Sequence, residues 1–265
     1  MGNKRSSSAN AASGGERTAD RAALAAKALE ITRRVTERHG PARFSDRDPL
    51  GMLVDIILSH RTKGADNAAA YRALRERFGE WSAVRDAPVA EVQAAIAPVN
   101  WPELKAPRIQ AILHRITAER GELNLDFLCD LPVQEAAAWL GRLEGVGPKT
   151  IACVLLFSCR QPILPVDTHV HRTSIRLGLI GPRVTAEAAH ALLQALLPDD
   201  AQTIYNFHRG LLRHGQYPCV YGTPRCDDCF MADMCDFRLR ATGRLQREPT
   251  SGAPPRLPGI DASSD

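Results

Sequence analysis

The chain has 265 residues, of which 44% are hydrophobic, and its 34 basic and 30 acidic residues give a net charge of +4. This apolar content is enough for a buried core, which excludes a disordered chain and a small disulfide-stapled protein. The mean hydropathy is −0.23 and no apolar run approaches the ~18 residues of a membrane span, which excludes a membrane-spanning helix. The charge permits a polyanionic partner without indicating one.

The two ends of the sequence differ in composition from the middle. Residues 1–20 are mostly Ser, Ala and Gly, and residues 241–265 are rich in Pro, Gly and Ser. We therefore expect two disordered tails. Because residues 1–20 contain no apolar stretch, we also expect no signal peptide and a protein that stays in a reducing compartment.

Between the tails, apolar residues recur at helical spacing. Leu50, Leu53, Val54 and Ile57, for example, follow the i, i+3, i+4, i+7 pattern, whereas no segment alternates convincingly at a period of two. Gly and Pro interrupt the pattern often enough for about ten short helices. The sequence predicts an all-α fold.

Four of the seven cysteines lie close together near the C-terminal end. Cys219, Cys226, Cys229 and Cys235 have the spacing C-x6-C-x2-C-x5-C. Four thiolates on a short loop suit a [4Fe–4S] cluster or structural zinc, and disulfides are a third interpretation that a reducing compartment disfavours. Zinc sites usually contain two short C-x2–4-C pairs, and here only Cys226 and Cys229 form one. The spacing therefore favours iron–sulfur.

The other three cysteines lie in apolar, helical surroundings. A free cysteine packs as a small apolar residue. We therefore interpret Cys129, Cys153 and Cys159 as core residues.

A glycine-containing turn, LEGVGPKT, lies between two apolar helical stretches. Gly145 and Gly147 allow a tight turn whose backbone N–H groups can approach a ligand closely, and Pro148 suits the first turn of the next helix. Such a helix–hairpin–helix binds a phosphate group of nucleic acid at a helix N-terminus, without regard to base sequence. The alternative is an ordinary turn.

Lys149 follows this turn, in the first turn of the predicted helix, where the positive end of the helix dipole disfavours an ammonium group. A neutral amine can attack a sugar C1′ and form a Schiff base, whereas a guanidinium stays charged. The chain contains 29 Arg and only 5 Lys, so a Lys here indicates chemistry. The alternative is a solvated surface residue.

Asp167 lies eighteen residues after Lys149, in the segment VDTHVHR. A carboxylate can stabilise a developing oxocarbenium cation or activate an attacking group. Asp is also a good helix N-cap, and the local sequence by itself favours that interpretation. His169 and His171 could be metal ligands, but we favour packing or backbone contacts for both.

Together, LEGVGPKT, VDTHVHR and the four-cysteine pattern resemble, in order and spacing, the endonuclease III family of helix–hairpin–helix DNA glycosylases. The similarity extends from about Ala22 to Phe237. It implies two helical domains with a DNA-binding cleft between them. One is a six-helix barrel over residues 42–161 with the helix–hairpin–helix at 136–159, and the other is a [4Fe–4S] cluster domain over 21–41 and 162–240.

The resemblance also implies roles for the residues singled out above. Lys149 matches the Schiff-base lysine, Asp167 matches the essential aspartate, and the four cysteines match the [4Fe–4S] ligands. The implied activity is that of a monomeric, bacterial-type cytoplasmic enzyme acting on nucleoid-associated DNA. Such an enzyme flips a damaged nucleotide out of double-stranded DNA, removes an oxidised pyrimidine and nicks the strand at the abasic site by β-elimination.

Three positions depart from the family pattern, and all three concern DNA contacts. Arg61 stands where the family commonly has a Gln that fills the gap left by the flipped base. Trp101, in the second wedge loop PVNWPELKA, is either an intercalating wedge or a buried anchor. Arg225 is the one Arg between Cys219 and Cys226, which predicts weaker phosphate contact there. We take Gly145, Gly147, Arg61, Trp101 and Arg225 as the DNA-binding candidates.

The segments GELNLDFLCDLP and VDTHVHRTSIRLGLI also resemble the plant 5-methylcytosine glycosylases of the same superfamily. Two alternatives therefore stay open. The same scaffold could remove another base, such as 5-methylcytosine or mismatched thymine. A non-catalytic iron–sulfur protein that binds DNA or senses redox state is the second alternative, although the presence of both Lys149 and Asp167 argues against it.

Overall fold

The computed structural model describes residues 8–245, with side chains from residue 20 onward. This part of the chain forms twelve α-helices and one 3-10 helix and contains no strand, so the predicted all-α fold is confirmed. The 3-10 helix is Asp126–Cys129. The α-helices are α1 Ser8–His39, α2 Pro49–Ser59, α3 Gly64–Phe78, α4 Trp81–Asp86, α5 Val89–Ala95, α6 Pro102–Arg120, α7 Val133–Leu140, α8 Pro148–Phe157, α9 Thr168–Leu177, α10 Ala186–Gln194, α11 Ala201–Gln216 and α12 Asp236–Ala241.

Helix α1 begins at Ser8, inside the predicted N-terminal tail. The predicted disorder over residues 1–20 therefore differs from the structure from Ser8 onward. The reason is composition, because this segment is rich in alanine, which has the highest helix propensity. Residues 1–7 of the predicted N-terminal tail and residues 246–265 of the predicted C-terminal tail lie outside the described residues.

The first hydrophobic core is enclosed by helices α2 to α8. Helix α2 lies at its centre, with nine of its eleven residues buried, as expected of a helix that is apolar on all sides. Leu74 of α3, Leu113 of α6 and Val154 of α8 are fully buried in this core. The Asp48 side chain begins α2 by accepting a 2.7 Å hydrogen bond from the Gly51 backbone N–H.

The second core combines helix α1 with helices α9 to α11. Ile31 and Val35 of α1 and Phe207 of α11 are fully buried in it. The close approach of the two helices depends on Gly210, because a Cβ atom there would lie 2.2 Å from Cγ2 of Val35. This domain is therefore built from both ends of the described chain.

The two domains meet along α8. Val154 and Leu155 belong to the first core, whereas Leu156 belongs to the second and Phe157 packs against both. The chain then passes through a short linking segment to α9, which begins after Asp167. Lys149 at the start of α8 and Asp167 at the start of α9 therefore both lie on the segments that join the domains.

Two of the three predicted core cysteines are bonded to each other, which corrects that interpretation. Cys129 and Cys159 form a disulfide with their Cα atoms 4.7 Å apart, although they are separated by 30 positions in sequence. Gln161 holds the two segments together by donating hydrogen bonds to the carbonyls of Leu128 and Leu131. Cys153 is free and buried, as predicted. No helix among residues 8–245 has the length and apolar character needed to span a membrane.

Candidate active site

The predicted hairpin connects α7 to α8. Gly145 has φ +76°, a left-handed conformation that glycine adopts without strain, and a Cβ there would lie 2.9 Å from Nε of Arg108. Gly147 is the N-cap of α8 in extended conformation, and a Cβ at this position would meet no atom within 4 Å. The space on the Cβ side of Gly147 is therefore open, and the first turn of α8 has N–H groups without intrahelical partners that can bind an anion.

Lys149 is the second residue of α8, one helical turn before Cys153. Burial raises the pKa of the Cys153 thiol to about 11, and the Lys149 ammonium, which hydrogen-bonds this thiol, acts in the opposite direction. The lysine is half-buried rather than fully solvated, and its catalytic role stays a prediction.

Asp167 is the N-cap of α9, as the local sequence predicted. Its Oδ1 accepts hydrogen bonds of 2.8 Å from the backbone N–H groups of His169 and Val170. Both bonds use Oδ1, and Oδ2 has no hydrogen bond in the described part of the chain. The capping role therefore fixes the carboxylate while one oxygen stays available.

The structure brings Lys149 and Asp167 to the same place. The two charges act in opposite directions on the pKa of Cys153 and on that of His208. His208 lies buried on α11, where its Nδ1 donates a 2.9 Å hydrogen bond to the Pro165 carbonyl, and burial lowers its pKa. Sequence spacing did not indicate His208, since it belongs to an apolar face of α11.

His60 is a further member of this site that the sequence did not indicate. Its Nε2 lies 3.3 Å from Oγ1 of Thr150, the residue after Lys149. Burial, and then the positive charges of Lys149, Lys105 and Arg108, lower the pKa of His60 to about 4. A neutral imidazole therefore stands beside Lys149 at neutral pH. Neither of the two histidines of VDTHVHR takes this position, and His171 instead bonds the Val184 carbonyl, as predicted.

The two predicted wedge residues, Arg61 and Trp101, are neighbours. The Arg61 guanidinium carbon lies 5.8 Å from the centroid of the Trp101 ring. Both have left-handed backbones, with φ of 51° and 56°, and such strained non-glycine positions cluster at functional sites. Trp101 is 45% exposed, so its interpretation as a buried anchor is wrong. Arg61 lies in the first wedge loop, residues 60–63 between α2 and α3, and Asn100 joins it to the second wedge loop by donating its side-chain N–H to the Arg61 carbonyl.

The four cysteines of the C-terminal loop line a single cavity, together with Arg176 and His214. Arg176 connects two of them, because its guanidinium donates to Sγ of Cys219 and its carbonyl accepts from Cys235, each at 3.2 Å. Burial raises the pKa of Cys229 to about 11. Within residues 8–245, no three His, Cys, Asp or Glu side chains are arranged to hold a single metal ion.

Arg225 lies at the exposed edge of this loop. Its guanidinium donates a 3.0 Å hydrogen bond to the Tyr217 hydroxyl and lies 4.8 Å from the centroid of the Tyr217 ring. Tyr217 is itself 54% exposed. Arg225 is therefore held by an aromatic neighbour at the surface, and its contact with DNA stays a prediction.

Fold and site together define a two-domain helical protein with a lysine and a carboxylate beside a helix–hairpin–helix. The model of the HhH-GPD superfamily base excision DNA repair proteins matches residues 54–199. The chain therefore belongs to this superfamily of base-excision DNA glycosylases, and the predicted family is confirmed.

Individual relatives agree with this assignment. Endonuclease III of Thermotoga maritima is 30% identical over 218 residues, covering 82% of this chain and 96% of that protein. A candidate DNA glycosylase of Arabidopsis thaliana is 33% identical over 62% of the chain, which spans about half (55%) of that relative's length. The DNA glycosylase/AP lyase ROS1 of Arabidopsis thaliana is 29% identical over 59% of the chain and is matched over 12% of its own length.

Solved structures share the fold at lower identity. A trapped endonuclease III–DNA covalent intermediate superposes with a TM-score of 0.68 and 22% identity, covering 80% of this chain and 96% of that one. A thermostable thymine-DNA glycosylase gives a TM-score of 0.64 and 19% identity, covering 84% and 99% of the two chains.

Proposed function

We propose that this protein is a base-excision repair glycosylase with abasic-site lyase activity, which removes oxidised pyrimidines from duplex DNA. The observation that carries the proposal is the placement of Lys149 at the start of α8 and Asp167 at the start of α9, where the two domains are joined. The charges of both residues act on the pKa of the same two buried groups, Cys153 and His208. The relatives named endonuclease III and DNA glycosylase/AP lyase support the lyase step.

The proposed reaction begins with extrusion of the damaged nucleotide, because its C1′ cannot be reached inside the base stack. The open N-terminus of α8 would hold a backbone phosphate, and the neighbouring side chains of Arg61 and Trp101 would fill the space that the nucleotide leaves.

After losing a proton to solvent, the amine of Lys149 attacks C1′. A bond forms between Nζ and C1′, and the N-glycosidic bond breaks with its electron pair on the leaving base, which takes up the proton that Nζ loses once it is bonded to C1′. The free oxygen of Asp167 would stabilise the positive charge that develops on the sugar. Ring opening leaves a Schiff base; loss of a C2′ proton expels the 3′ phosphate, and hydrolysis of the imine restores Lys149.

We propose that Cys219, Cys226, Cys229 and Cys235 hold a [4Fe–4S] cluster. The donor set supports this proposal, because the four cysteines line one cavity and their spacing contains one short C-x2-C pair, whereas a zinc site usually contains two. When bound, the cluster supplies four covalent links that stabilise the C-terminal loop. We also propose that the protein acts as a monomer on double-stranded DNA, since every candidate catalytic residue belongs to one chain.

The deciding experiment is borohydride trapping on duplex DNA containing an abasic site. Wild-type protein should give a covalent adduct and a nicked strand. Lys149→Gln should give neither, and Lys149→Arg should also fail because a guanidinium stays charged. Adduct formation by Lys149→Gln would exclude the proposed nucleophile.

A second candidate substrate is supported by the thymine-DNA glycosylase fold match and the similarity to ROS1. Duplexes carrying thymine glycol, 5-hydroxycytosine, 5-methylcytosine or mismatched thymine, scored separately for base release and nicking, distinguish the candidates. Release of mismatched thymine or 5-methylcytosine alone would replace oxidised pyrimidines as the substrate, and DNA binding without either product would favour a non-catalytic protein.

A further inference from the structure

Lys105 on α6 is the only buried lysine or arginine among residues 20–245, with 5% of its surface exposed. Its ammonium donates to the carbonyls of Leu58 and His60, at 2.6 and 2.8 Å, and to Oγ1 of Thr62, at 2.9 Å. All three N–H donors of the ammonium are therefore used. Leu58 and His60 lie at the C-terminal end of α2, where helix carbonyls lack intrahelical partners and a positive charge is favoured.

A lysine suits this position better than an arginine. Its compact ammonium can bond three acceptors that converge on one point, whereas a planar guanidinium spreads its donors over a fork. The chain has 29 Arg and 5 Lys, so this buried position uses one of its few lysines. Within the described residues the ammonium has no carboxylate partner, and burial lowers its pKa.

The hydrogen bonds of Lys105 continue into both wedge loops. Thr62 Oγ1 also accepts a 3.3 Å hydrogen bond from the Asn100 backbone N–H. Asn100 in turn donates its side-chain N–H to the carbonyl of Arg61. A continuous path therefore connects Lys105 to Arg61 in the first loop and to the residue before Trp101 in the second.

The strained backbones at the ends of this path need such support. Arg61 and Trp101 both have left-handed conformations that a side chain disfavours, and these persist only where the surroundings hold them. Without the ammonium, the Leu58 carbonyl would lose its partner and the His60 carbonyl would keep only the Thr62 hydroxyl, so the first loop could relax away from the second.

We propose that Lys105 is a positioning residue that holds Arg61 and Trp101 together as one wedge and so sets the rate at which the enzyme opens the duplex. The proposal rests on the proposed function, in which these two side chains fill the gap left by the flipped nucleotide. Lys105 is buried and contacts no DNA itself, and it acts through the loops alone.

The test compares Lys105→Met with wild type in single-turnover trapping on two substrates. One is duplex DNA with an abasic site, and the other is a single strand with the same site, which needs no opening. A misplaced reacting or positioning group costs about 100-fold in rate, so we expect about that loss on the duplex and less than about 3-fold on the single strand. Equal losses on both substrates, or no loss on the duplex, would overturn the proposal.

A fluorescent reporter separates wedge insertion from chemistry. With 2-aminopurine placed next to the target nucleotide, wild-type protein should raise the fluorescence on duplex binding, and Lys105→Met should raise it less at saturating protein. If wild-type protein traps neither substrate, the proposed function is overturned. The fluorescence signal still tests the role of Lys105 in that case, because it does not depend on chemistry. An unchanged fluorescence rise in Lys105→Met would contradict the proposal directly.

Lys63→Met is the matched control. Lys63 is exposed in the same loop and makes no side-chain capping bond to α3. The Lys63→Met variant loses the same charge as Lys105→Met. We expect its trapping rates on the duplex and on the single strand, at saturating protein, to change by a similar factor.

If Lys105→Met does not fold, Thr62→Val and Asn100→Ala interrupt the same hydrogen-bond path at its next two residues and should reproduce the duplex-selective loss. Wild-type behaviour of both would overturn the proposal.

Discussion

Nε2 of His60 lies 3.3 Å from Oγ1 of Thr150, a contact that joins the end of α2 to the first turn of α8. The two residues are separated by 90 positions in sequence. His60 precedes Arg61 of the first wedge loop, and Thr150 follows Lys149. The contact therefore joins the first wedge loop to the helix that carries Lys149. The position of the loop is thereby linked to the position of the candidate nucleophile.

The first prediction concerns the pH dependence of stability. Burial and nearby cations lower the pKa of His60 from 6.5 to about 4, so between these values the unfolded chain binds a proton that the native state excludes. The free energy of unfolding contributed by His60 is therefore present above pH 6.5 and decreases as the pH falls toward 4.

Burial also lowers the pKa of other histidines, among them His208 and His214, so the comparison must be between wild type and His60→Gln. Urea denaturation at pH 7.5, 6.0 and 5.0 should show a shallower decrease in the free energy of unfolding for the variant. Parallel pH profiles would mean that His60 is solvated in the native state.

The second prediction separates the capping and catalytic roles of Asp167. Asparagine caps a helix about as well as aspartate, so Asp167→Asn should unfold at nearly the wild-type denaturant concentration. Base release should nevertheless fall by about 100-fold or more, because the charge is lost. Asp167→Ala should lose the cap as well, at a cost of about 1 kcal/mol. Full activity in a folded Asp167→Asn protein would leave Asp167 with the capping role alone.

The third prediction compares the two hairpin glycines. Gly145→Ala places a Cβ on a left-handed backbone and 2.9 Å from Arg108, so we expect a destabilisation of about 1–2 kcal/mol. Gly147→Ala places a Cβ on an extended backbone in open space, and its stability should stay within about 0.5 kcal/mol of wild type. Thermal and denaturant unfolding of the two variants test this difference, and equal values would contradict the left-handed turn.

The fourth prediction concerns the disulfide between Cys129 and Cys159. Alkylation of the unfolded, unreduced protein should leave both residues unmodified, and prior reduction should expose both to the reagent. Because the bond closes a loop of about 30 residues, reducing it should lower the free energy of unfolding by about 3–4 kcal/mol in the chain-entropy model. Cys129→Ser should show no further change on reduction, and alkylation of Cys159 in unreduced wild-type protein would exclude the bond.

The sequence by itself determined the helical fold and the position of the hairpin. It also identified Lys149, Asp167 and the four cysteines of the C-terminal loop as candidate site residues. These features can be recognised because each depends on neighbours within one or two helical turns. Apolar spacing indicates which face of a helix is buried, Gly145 indicates a turn, and an aspartate before a helix indicates an N-cap.

Only the tertiary structure decided which distant residues meet. His60 and Thr150 are 90 positions apart, Lys105 and His60 are 45 apart, and Cys129 and Cys159 are 30 apart. A periodic pattern shows that a side chain is buried but does not identify its partner, so Lys105 was hidden in the sequence and Cys129 and Cys159 were mistaken for free thiols. The sequence left Trp101 as either wedge or anchor, and the structure shows that its ring is exposed at the surface.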